Sequence, residues 1–306
     1  MEGIIKAVCI SEKRGTVKKN INEVNVIKDF GLEGDAHAGK WHRQVSFLSA
    51  DIVDEFNEKG ASVIEGDFGE NILAYGIDFK KLPVGTKLIC NDAKFEITQI
   101  GKECHSHCEI YKRVGDCIMP REGIFAKVLE SGTIKVGDKI EVIYPEKDMP
   151  YMAAVMTLSD KGSRGERVDT SGPRAAEILK EHGFKIVEEI ILPDEEAQIK
   201  KHLIRLSDSR QVDLIITTGG TGLSPRDRTP EATLAVADRN VPGISEAIRA
   251  GSMTITKRAM LSRGVSVIRK KTLIINLPGS KKAVEESLSF IICLLYTSDA
   301  ADDMQC

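Results

Sequence analysis

A glycine-rich loop in the second half of the sequence has the composition of a phosphate-binding loop. It reads Gly-Gly-Thr-Gly over Gly219–Gly222 and continues through Pro225 and Arg226 to Asp227. Glycines let backbone N–H groups approach a phosphate closely, and a following helix N-terminus adds positive potential. The loop is neither a Walker A motif nor the dinucleotide fingerprint. A flexible turn between a strand and a helix is the plainer alternative.

Two aspartates, Asp194 and Asp227, lie in loops that follow strand-like segments, and we expect both loops to be at the same edge of the sheet. A pair of carboxylates beside a phosphate site usually holds Mg²⁺, which offsets their charge and that of the phosphates. Each aspartate also precedes a predicted helix, near Glu195 and at Thr229-Pro230. Helix capping is therefore the structural alternative for both.

Strands and helices alternate in this half, which predicts a parallel, doubly wound sheet. The predicted strands are 153–158, 185–192, 213–218 and 272–277, and the predicted helices are 172–182, 195–207, 230–237 and 244–254. Ligands bind beyond the carboxyl ends of such strands. The loops that begin at Ser159, Pro193, Gly219 and Pro278 all fall at that edge.

The run Gly219–Thr233, with Pro193–Glu195, Leu261–Arg263 and Ile275–Gly279, resembles the molybdopterin adenylyltransferase (MogA-like) family over residues 151–292. The resemblance implies a three-layer α/β domain with a mostly parallel sheet, usually trimeric. It implies that AMP is transferred from ATP to molybdopterin and that pyrophosphate is released. The reaction would require Mg²⁺, and the family's acidic pair, Asp194 and Asp227, would be the catalytic residues that bind this ion. It also implies these nucleotide- or pterin-binding residues: Ser159, Asp160, Gly219, Gly220, Thr221, Gly222, Ser262, Arg263, Asn276, Pro278, Gly279 and Ser280.

The first half is strand-like, with frequent glycine turns, and predicts a β-rich barrel or sandwich with one helix at 49–59 that Ser49 could cap. Its polar segments contain His37, Arg43 and the cysteines Cys104, Cys108 and Cys117. These cysteines could hold structural zinc with a histidine, could supply a thiol activated by His37, Arg43 or Arg121, or could be small core residues. Cys9 and Cys90 lie in apolar strand-like runs and are expected to be core residues.

Gly31–His37, Gly69–Ile72, the cysteine segment and Gly137–Val142 resemble a MOSC domain, which would occupy residues 1–145. The resemblance implies a barrel-like β fold that binds molybdenum cofactor or carries sulfur through a cysteine. Cys108 matches the family's thiol best, and Cys104 and Cys117 are alternatives; His37 and Arg43 would complete the site.

The two resemblances together predict a bifunctional enzyme of molybdenum cofactor biosynthesis, with molybdopterin and ATP as its substrates. A downstream molybdenum-insertion enzyme is the expected partner, and a homotrimer through the second domain the expected assembly. A non-catalytic molybdopterin or cofactor carrier, in which the glycine loop only holds ligand, is the rival from another functional class.

Length, charge and composition restrict the class of protein that this chain can be. The chain has 306 residues, which at roughly 100–200 residues per domain predicts two domains. Its formal net charge is -3, so nothing favours nucleic acid or an anionic membrane. No spanning apolar run or signal peptide is evident, and the seven cysteines fit a reducing compartment. We therefore expect a cytoplasmic protein.

Residues 293–306 do not continue the preceding helical pattern. Codons compatible with 293–303 give a string that resembles the transposon end used to fragment DNA for sequencing libraries. We therefore expect a non-native tail from read-through into adapter DNA, with a genuine polar tail as the alternative.

Overall fold

A computed structural model describes residues 2–102, 111, 115–146 and 149–295 of the chain. It divides the chain into two compact units, Met1–Lys147 and Asp148–Cys306. Among the described residues, no helix is long and apolar enough to cross a membrane.

The first unit is built from short, mostly antiparallel strands. They are β1 (Glu2–Ile10), β2 (Lys19–Asn20), β3 (Glu23–Ile27), β4 (Gly31–Leu32), β5 (Val45–Ser49), β6 (Ile72–Tyr75), β7 (Lys87–Cys90), β8 (Ala93–Ile100), β9 (Ile124–Glu130), β10 (Gly132–Lys135) and β11 (Lys139–Ile143). The helices α1 (Ala50–Glu58) and α2 (Met119–Glu122) interrupt them.

Seven of these strands close into a barrel, which confirms the predicted β-barrel. Their order is β11-β7-β8-β9-β5-β6-β1, and β11 pairs with β1 to close the ring. Closure leaves no free edge among the seven strands. Phe47 fills the interior, with its ring 5.6 Å from that of Phe79 and 5.3 Å from that of Phe95. Ser49 precedes α1 as predicted, but its side chain accepts no N–H of that helix.

The second unit alternates strands and helices. The strands are β12 (Met152–Leu158), β13 (Lys185–Leu192), β14 (Leu214–Thr218), β15 (Arg239–Asn240), β16 (Ser266–Arg269) and β17 (Thr272–Leu277). The helices are α3 (Asp160–Ser163), α4 (Ser171–Glu181), α5 (Glu196–Ile204), α6 (Thr229–Ala235), α7 (Pro242–Ile255) and α8 (Lys281–Ser289).

These strands form one sheet in the order β13-β12-β14-β17-β16-β15. The first four are mutually parallel, whereas β16 and β15 add antiparallel at one end. Sequence patterns did not predict these two short strands. Side chains alternate between two cores, so Ala153 and Val155 pack with α4, α7 and α8, while their neighbours Ala154 and Met156 pack with α5 and α6. Helices thus cover both faces of the sheet.

The opposite edge strand, β13, contains two adjacent glutamates, and each of them is engaged by a cation. Glu188 pairs with Arg205, and Glu189 accepts a hydrogen bond from Lys180 at 3.3 Å. At the C-terminal end of the described chain, Ile292–Leu295 form a 3₁₀ turn, and Leu295 packs against the α4–α7–α8 core. Residues 296–306 of the expected tail lie outside the described residues.

Candidate active site

A cavity of about 190 Å³ opens at the carboxyl ends of β12, β13, β14 and β17, the edge where the sequence places its polar loops. Water occupies about 30 Å³ per molecule, so the space suits a group of phosphate size or larger. Its lining is mainly polar: Thr157, Leu158, Ser159, Gly162, Arg167, Val168, Asp169, Thr170, Ser171, Asp194, Thr218, Gly220, Asp227 and Gly279.

The glycine loop can follow its path only without side chains. Gly219 and Gly220 have φ of +95° and +62°. A Cβ on Gly219 would lie 2.4 Å from the carbonyl oxygen of Leu158, and one on Gly220 would lie 2.2 Å from Oγ1 of Thr229. The Thr229 hydroxyl donates to the carbonyl of Gly219 at 3.0 Å and fixes the loop against the start of α6. The loop is therefore a packed element rather than a flexible turn.

Asp194 is tied to Asp160 by two reciprocal hydrogen bonds. The backbone N–H of each donates to the carboxylate of the other at 3.0 Å. Arg226, in the glycine loop's continuation, donates to the same Asp160 carboxylate through Nε at 3.0 Å and a terminal nitrogen at 2.7 Å. Asp160 thus joins the loops that contain Asp194 and Asp227. Its pKa is lowered, chiefly by the hydrogen bond from Arg226.

Neither aspartate of the pair caps the helix that follows it, so the capping alternative is wrong. Helix α5 begins at Glu196 after Glu195, and α6 begins at Thr229 after Arg228. Asp227 Oδ2 instead accepts the backbone N–H of Ser224 at 2.9 Å. Both carboxylates turn toward the glycine loop.

The two carboxylates come close to the same short stretch of backbone. A Cβ on Gly220 would lie 3.0 Å from Asp194 Oδ1, and one on Gly222 would lie 2.9 Å from Asp227 Oδ2. Burial raises the pKa of Asp194, and the negative charges of Asp160 and Asp227 raise it further. Asp194 Oδ1 is buried without a hydrogen-bond partner. This oxygen faces the glycine loop in an excess of negative charge, which a cation would relieve.

A third carboxylate, Asp169, was missed from the sequence. It accepts the backbone N–H of Ser171 at 2.9 Å and the hydroxyl of Thr157 at 2.6 Å, so it fixes the start of α4 against the end of β12. The Ser171 hydroxyl lies 3.0 Å from that of Thr218. Burial alone would raise the pKa of Asp169, but these hydrogen bonds lower it. The signal was available in Asp-Thr-Ser-Gly-Pro at 169–173, a typical helix start.

Ser262 lies in a second, more apolar cavity of about 280 Å³ that also includes Thr221, Gly222 and Pro278. Arg263 is not aimed at open space. Its guanidinium donates to the carbonyl of Gly222 at 2.7 Å, to that of Asp227 and to the carboxylate of Glu231. It therefore shapes the glycine loop.

Two residues expected to contact ligand have structural partners. Asn276 lies inside β17, and its buried amide donates to the hydroxyls of Thr217 at 2.9 Å and Thr233 at 3.0 Å. Because this side chain is buried and its amide is already hydrogen-bonded, the prediction that it contacts ligand is wrong. Ser280 caps α8, because its hydroxyl accepts the N–H of Ala283 at 3.2 Å. Gly279 lines the first cavity, as predicted for the loop after β17.

The cysteines of the first unit divide by burial. Cys9 and Cys90 are core residues, as expected, and burial raises the pKa of each thiol to about 12. Cys117 follows a loop, as predicted, but its side chain is buried and packs with Cys9, which agrees with the alternative of a small core residue for this cysteine. Arg121 is engaged by Asp116 in a two-point ion pair. Cys104 and Cys108 lie outside the described residues.

His37 and Arg43 lie in different surroundings. His37 Nδ1 is 3.9 Å from the carboxylate of the buried Asp35. The Arg43 guanidinium lies over two rings, with its central carbon 4.7 Å from the centroid of Trp41 and 5.5 Å from that of Phe125.

Asp35 belongs to a cluster of buried polar side chains in the first unit. It accepts hydrogen bonds from Lys18 at 2.8 Å and Asn71 at 3.1 Å. Burial alone would raise the pKa of Asp35, but His37 and the Lys18 ammonium hold it below its usual range. Glu70 is completely buried, and its carboxylate accepts the Gly66 N–H at 2.6 Å. Burial is the largest effect and raises its pKa to about 7, although the nearby Lys18 ammonium acts in the opposite direction.

Comparisons with known proteins match both units. The family described as "Probable molybdopterin binding domain" matches residues 154–296, and the MOSC domain family matches residues 34–141. A molybdopterin adenylyltransferase of Helicobacter pylori J99 is 42% identical over 139 residues, covering 45% of this chain and 79% of that protein. The Escherichia coli K12 molybdopterin adenylyltransferase is 44% identical over 137 residues, covering 44% of this chain and 70% of that protein.

A solved structure of the molybdopterin biosynthesis enzyme MoaB from Thermus thermophilus shares 47% identity, covers 47% of this chain and 91% of that chain, and has a TM-score of 0.46. Because the two sequence relatives are 42% and 44% identical and are covered over more than two thirds of their length, the chain belongs to the molybdopterin adenylyltransferase family through its second unit. Its first unit carries a MOSC domain.

Proposed function

We propose that the second unit transfers the adenylyl group of ATP to molybdopterin and releases pyrophosphate, as a step of molybdenum cofactor biosynthesis. The observation that carries this proposal is the pair Asp194 and Asp227, which meets the glycine loop inside one cavity. A three-layer α/β fold, with helices on both faces of the sheet, brings the loops to this edge.

The residues of the cavity fit Mg²⁺. Asp194 Oδ1 is buried without a partner, and carboxylate oxygens are the ligands that this ion prefers. No group of three His, Cys, Asp or Glu side chains suited to a metal occurs within the described ranges. Mg²⁺ commonly uses one or two carboxylates and completes its shell with water and substrate phosphates, so two aspartates suffice.

The chain's own contribution is positioning and charge. Asp194 and Asp227 would hold Mg²⁺, which when bound neutralises phosphate charge. The backbone of Gly219–Gly222 cradles phosphates, and Asp160 and Arg263 keep that loop and the acidic pair in place. The phosphate of molybdopterin then attacks the α-phosphorus of ATP in line, with pyrophosphate leaving from the opposite side.

Pyrophosphate release from ATP, dependent on molybdopterin and Mg²⁺, tests this proposal. The full chain should release one pyrophosphate per adenylylated molybdopterin. Tight binding of molybdopterin without any release would instead favour the non-catalytic carrier. The acidic pair argues for the enzyme, since a carrier has no need to neutralise a triphosphate.

We further propose that the MOSC unit binds molybdenum cofactor or carries sulfur, with Cys108 as the leading thiol and Cys104 as its alternative. His37 and Arg43 belong to this proposal as candidate cofactor contacts. The adenylylated product would pass to a molybdenum-insertion enzyme, and the second unit would assemble as a homotrimer. Molybdenum analysis of the protein after incubation with cofactor, with and without Cys108→Ser, tests the first statement.

A further inference from the structure

The adenylyl-transfer cavity contains one arginine that the resemblance to the enzyme family does not single out. Arg167 lies in the loop between α3 and α4 and lines the cavity with Asp169, Asp194 and Asp227. Among the described residues that line this cavity it is the only cation. Its side chain forms no hydrogen bond or ion pair with any residue in the described part of the chain.

Every other arginine on the surrounding loops is already engaged by a carboxylate. The pairs are Arg164 with Glu166, Arg226 with Asp160, Arg228 with Glu196 and Arg263 with Glu231. A guanidinium offers five donors in a planar fork that matches a phosphate at two points. Arg167 therefore keeps this whole capacity available at the mouth of an otherwise acidic cavity.

We propose that Arg167 binds a phosphate group of a substrate in this cavity. The inference rests on the proposed adenylyl transfer and adds a residue to it. The three lining carboxylates repel phosphates, and Mg²⁺ on Asp194 and Asp227 would offset only part of that charge. Arg167 supplies the remaining positive charge from the side of α4. The phosphate can belong to the triphosphate of ATP or to molybdopterin, because both present the same chemistry.

Three variants of the full chain test the proposal. Arg167→Gln removes the charge, Arg167→Lys keeps the charge without the fork, and Arg164→Gln is a matched control on the same loop whose side chain is paired with Glu166. The dissociation constants for inorganic pyrophosphate, ATP and molybdopterin are measured by titration calorimetry with Mg²⁺, and KM for each substrate by initial rates.

Arg167→Gln should weaken at least one phosphate-bearing probe about 10- to 100-fold, the range for a hydrogen-bonded charge, with a smaller change in kcat. Arg167→Lys should recover part of the loss, and Arg164→Gln should stay within about twofold of the wild type. The difference between wild type and Arg167→Gln should shrink as salt is raised. Loss for ATP and pyrophosphate assigns Arg167 to the triphosphate; loss for molybdopterin alone assigns it to the pterin phosphate.

Unchanged affinity of Arg167→Gln for all three probes would overturn the inference, as would an equal loss in Arg164→Gln. The binding measurements need no turnover. A wild-type chain that binds these probes through Arg167 but transfers no adenylyl group would therefore refute the proposed function and leave the phosphate contact standing.

Discussion

The carboxylates of Asp194 and Asp227 are each engaged by the protein at one oxygen. In both, Oδ2 accepts one backbone N–H, from Asp160 and from Ser224. The second oxygen of Asp194 is buried with no partner. An unpaired buried carboxylate oxygen costs free energy unless a partner arrives, so this atom is prepared for a ligand.

Asp227→Asn should therefore lower kcat/KM for adenylyl transfer by about two orders of magnitude or more, because several kcal/mol of charge stabilisation is lost with Mg²⁺. Asp194→Asn should behave in the same way, and molybdopterin binding should remain. Pyrophosphate release and molybdopterin titration measure the two quantities. The exposed Glu246, changed to Gln, is the control. Wild-type turnover of both Asn variants at saturating Mg²⁺ would contradict the assignment.

Glu70 makes the stability of the MOSC unit depend on pH. Its pKa in the folded chain is about 7, above the ordinary value of 4.5, so the folded state binds the proton more tightly than the unfolded state. The free energy of unfolding should then fall as pH rises from 4.5 through 7, by on the order of 3 kcal/mol, and change little above that.

Glu70→Gln should remove this dependence and stabilise the unit at pH 8 relative to the wild type, since an amide needs no proton to be neutral. Urea unfolding at several pH values measures it, with the exposed Glu12→Gln as control. A fall in stability between pH 5 and 7 that is as large in Glu70→Gln as in the wild type would show that another group is responsible.

Burial also orders the cysteines by reactivity. Cys9, Cys90 and Cys117 are buried, and a raised pKa keeps Cys9 and Cys90 as thiols at neutral pH. Among the cysteines of the first unit, mild alkylation followed by mass spectrometry should therefore label Cys104 or Cys108 first, with Cys108 leading, and bound cofactor should protect it. Slow labelling of Cys108 that a chelator accelerates would indicate zinc instead. Fast labelling of Cys9 would contradict both interpretations.

At the scale of elements, β12, β14 and β17 were predictable because most residues on both of their faces are buried, so they form nearly continuous apolar runs. The location of the site's loops could then be predicted as well, since the carboxyl ends of parallel strands lie at one edge of the sheet. The antiparallel strand β16 was missed because it is four residues long and follows a polar turn. Asn276 was misplaced because its amide is satisfied by Thr217 and Thr233, partners distant in sequence.

Asp169 and Arg167 could not be assigned to the site from the sequence for the same reason, which is that their neighbours in space are distant in sequence. Their relation to the acidic pair depends on how the loop before α4 returns to the ends of β12 and β14, which no local pattern encodes. Cys117 was assigned to a polar loop from its neighbours in sequence, but its side chain packs into the core shared with Cys9. Tertiary packing decided all three positions.

Gly220→Ala should damage the phosphate loop as a whole. The new Cβ would meet Thr229 Oγ1 at 2.2 Å, and φ of +62° disfavours it independently. We expect a destabilisation of about 1–3 kcal/mol and a loss of activity larger than the loss of fold accounts for. Gly243→Ala is the matched control, because nothing lies within 4 Å of its Cβ position in α7. Thermal unfolding and pyrophosphate release measure the two effects; equal outcomes for both variants would contradict the loop's role.

At the scale of the whole molecule, each unit has its own buried cores. Separate cores are what independent folding requires. Cleavage within Pro145–Pro150 should therefore give two soluble pieces that each unfold cooperatively in circular dichroism. A cut at Asn91, in the turn between β7 and β8, is the control and should leave insoluble pieces because it opens the barrel. Aggregation of either piece from the first cut alone would refute the independence of the units.

The ends of the second unit's sheet also bear on how the chain behaves when crowded. An open sheet edge invites a strand from a neighbouring molecule, and such pairing can continue without limit into fibres. Here one edge, β15, has only two residues, and the other, β13, has glutamates at 188 and 189 that are held by Arg205 and Lys180. A strand added at β13 would have to strip water from these ion pairs. We therefore expect the sheet to resist fibrillar self-association.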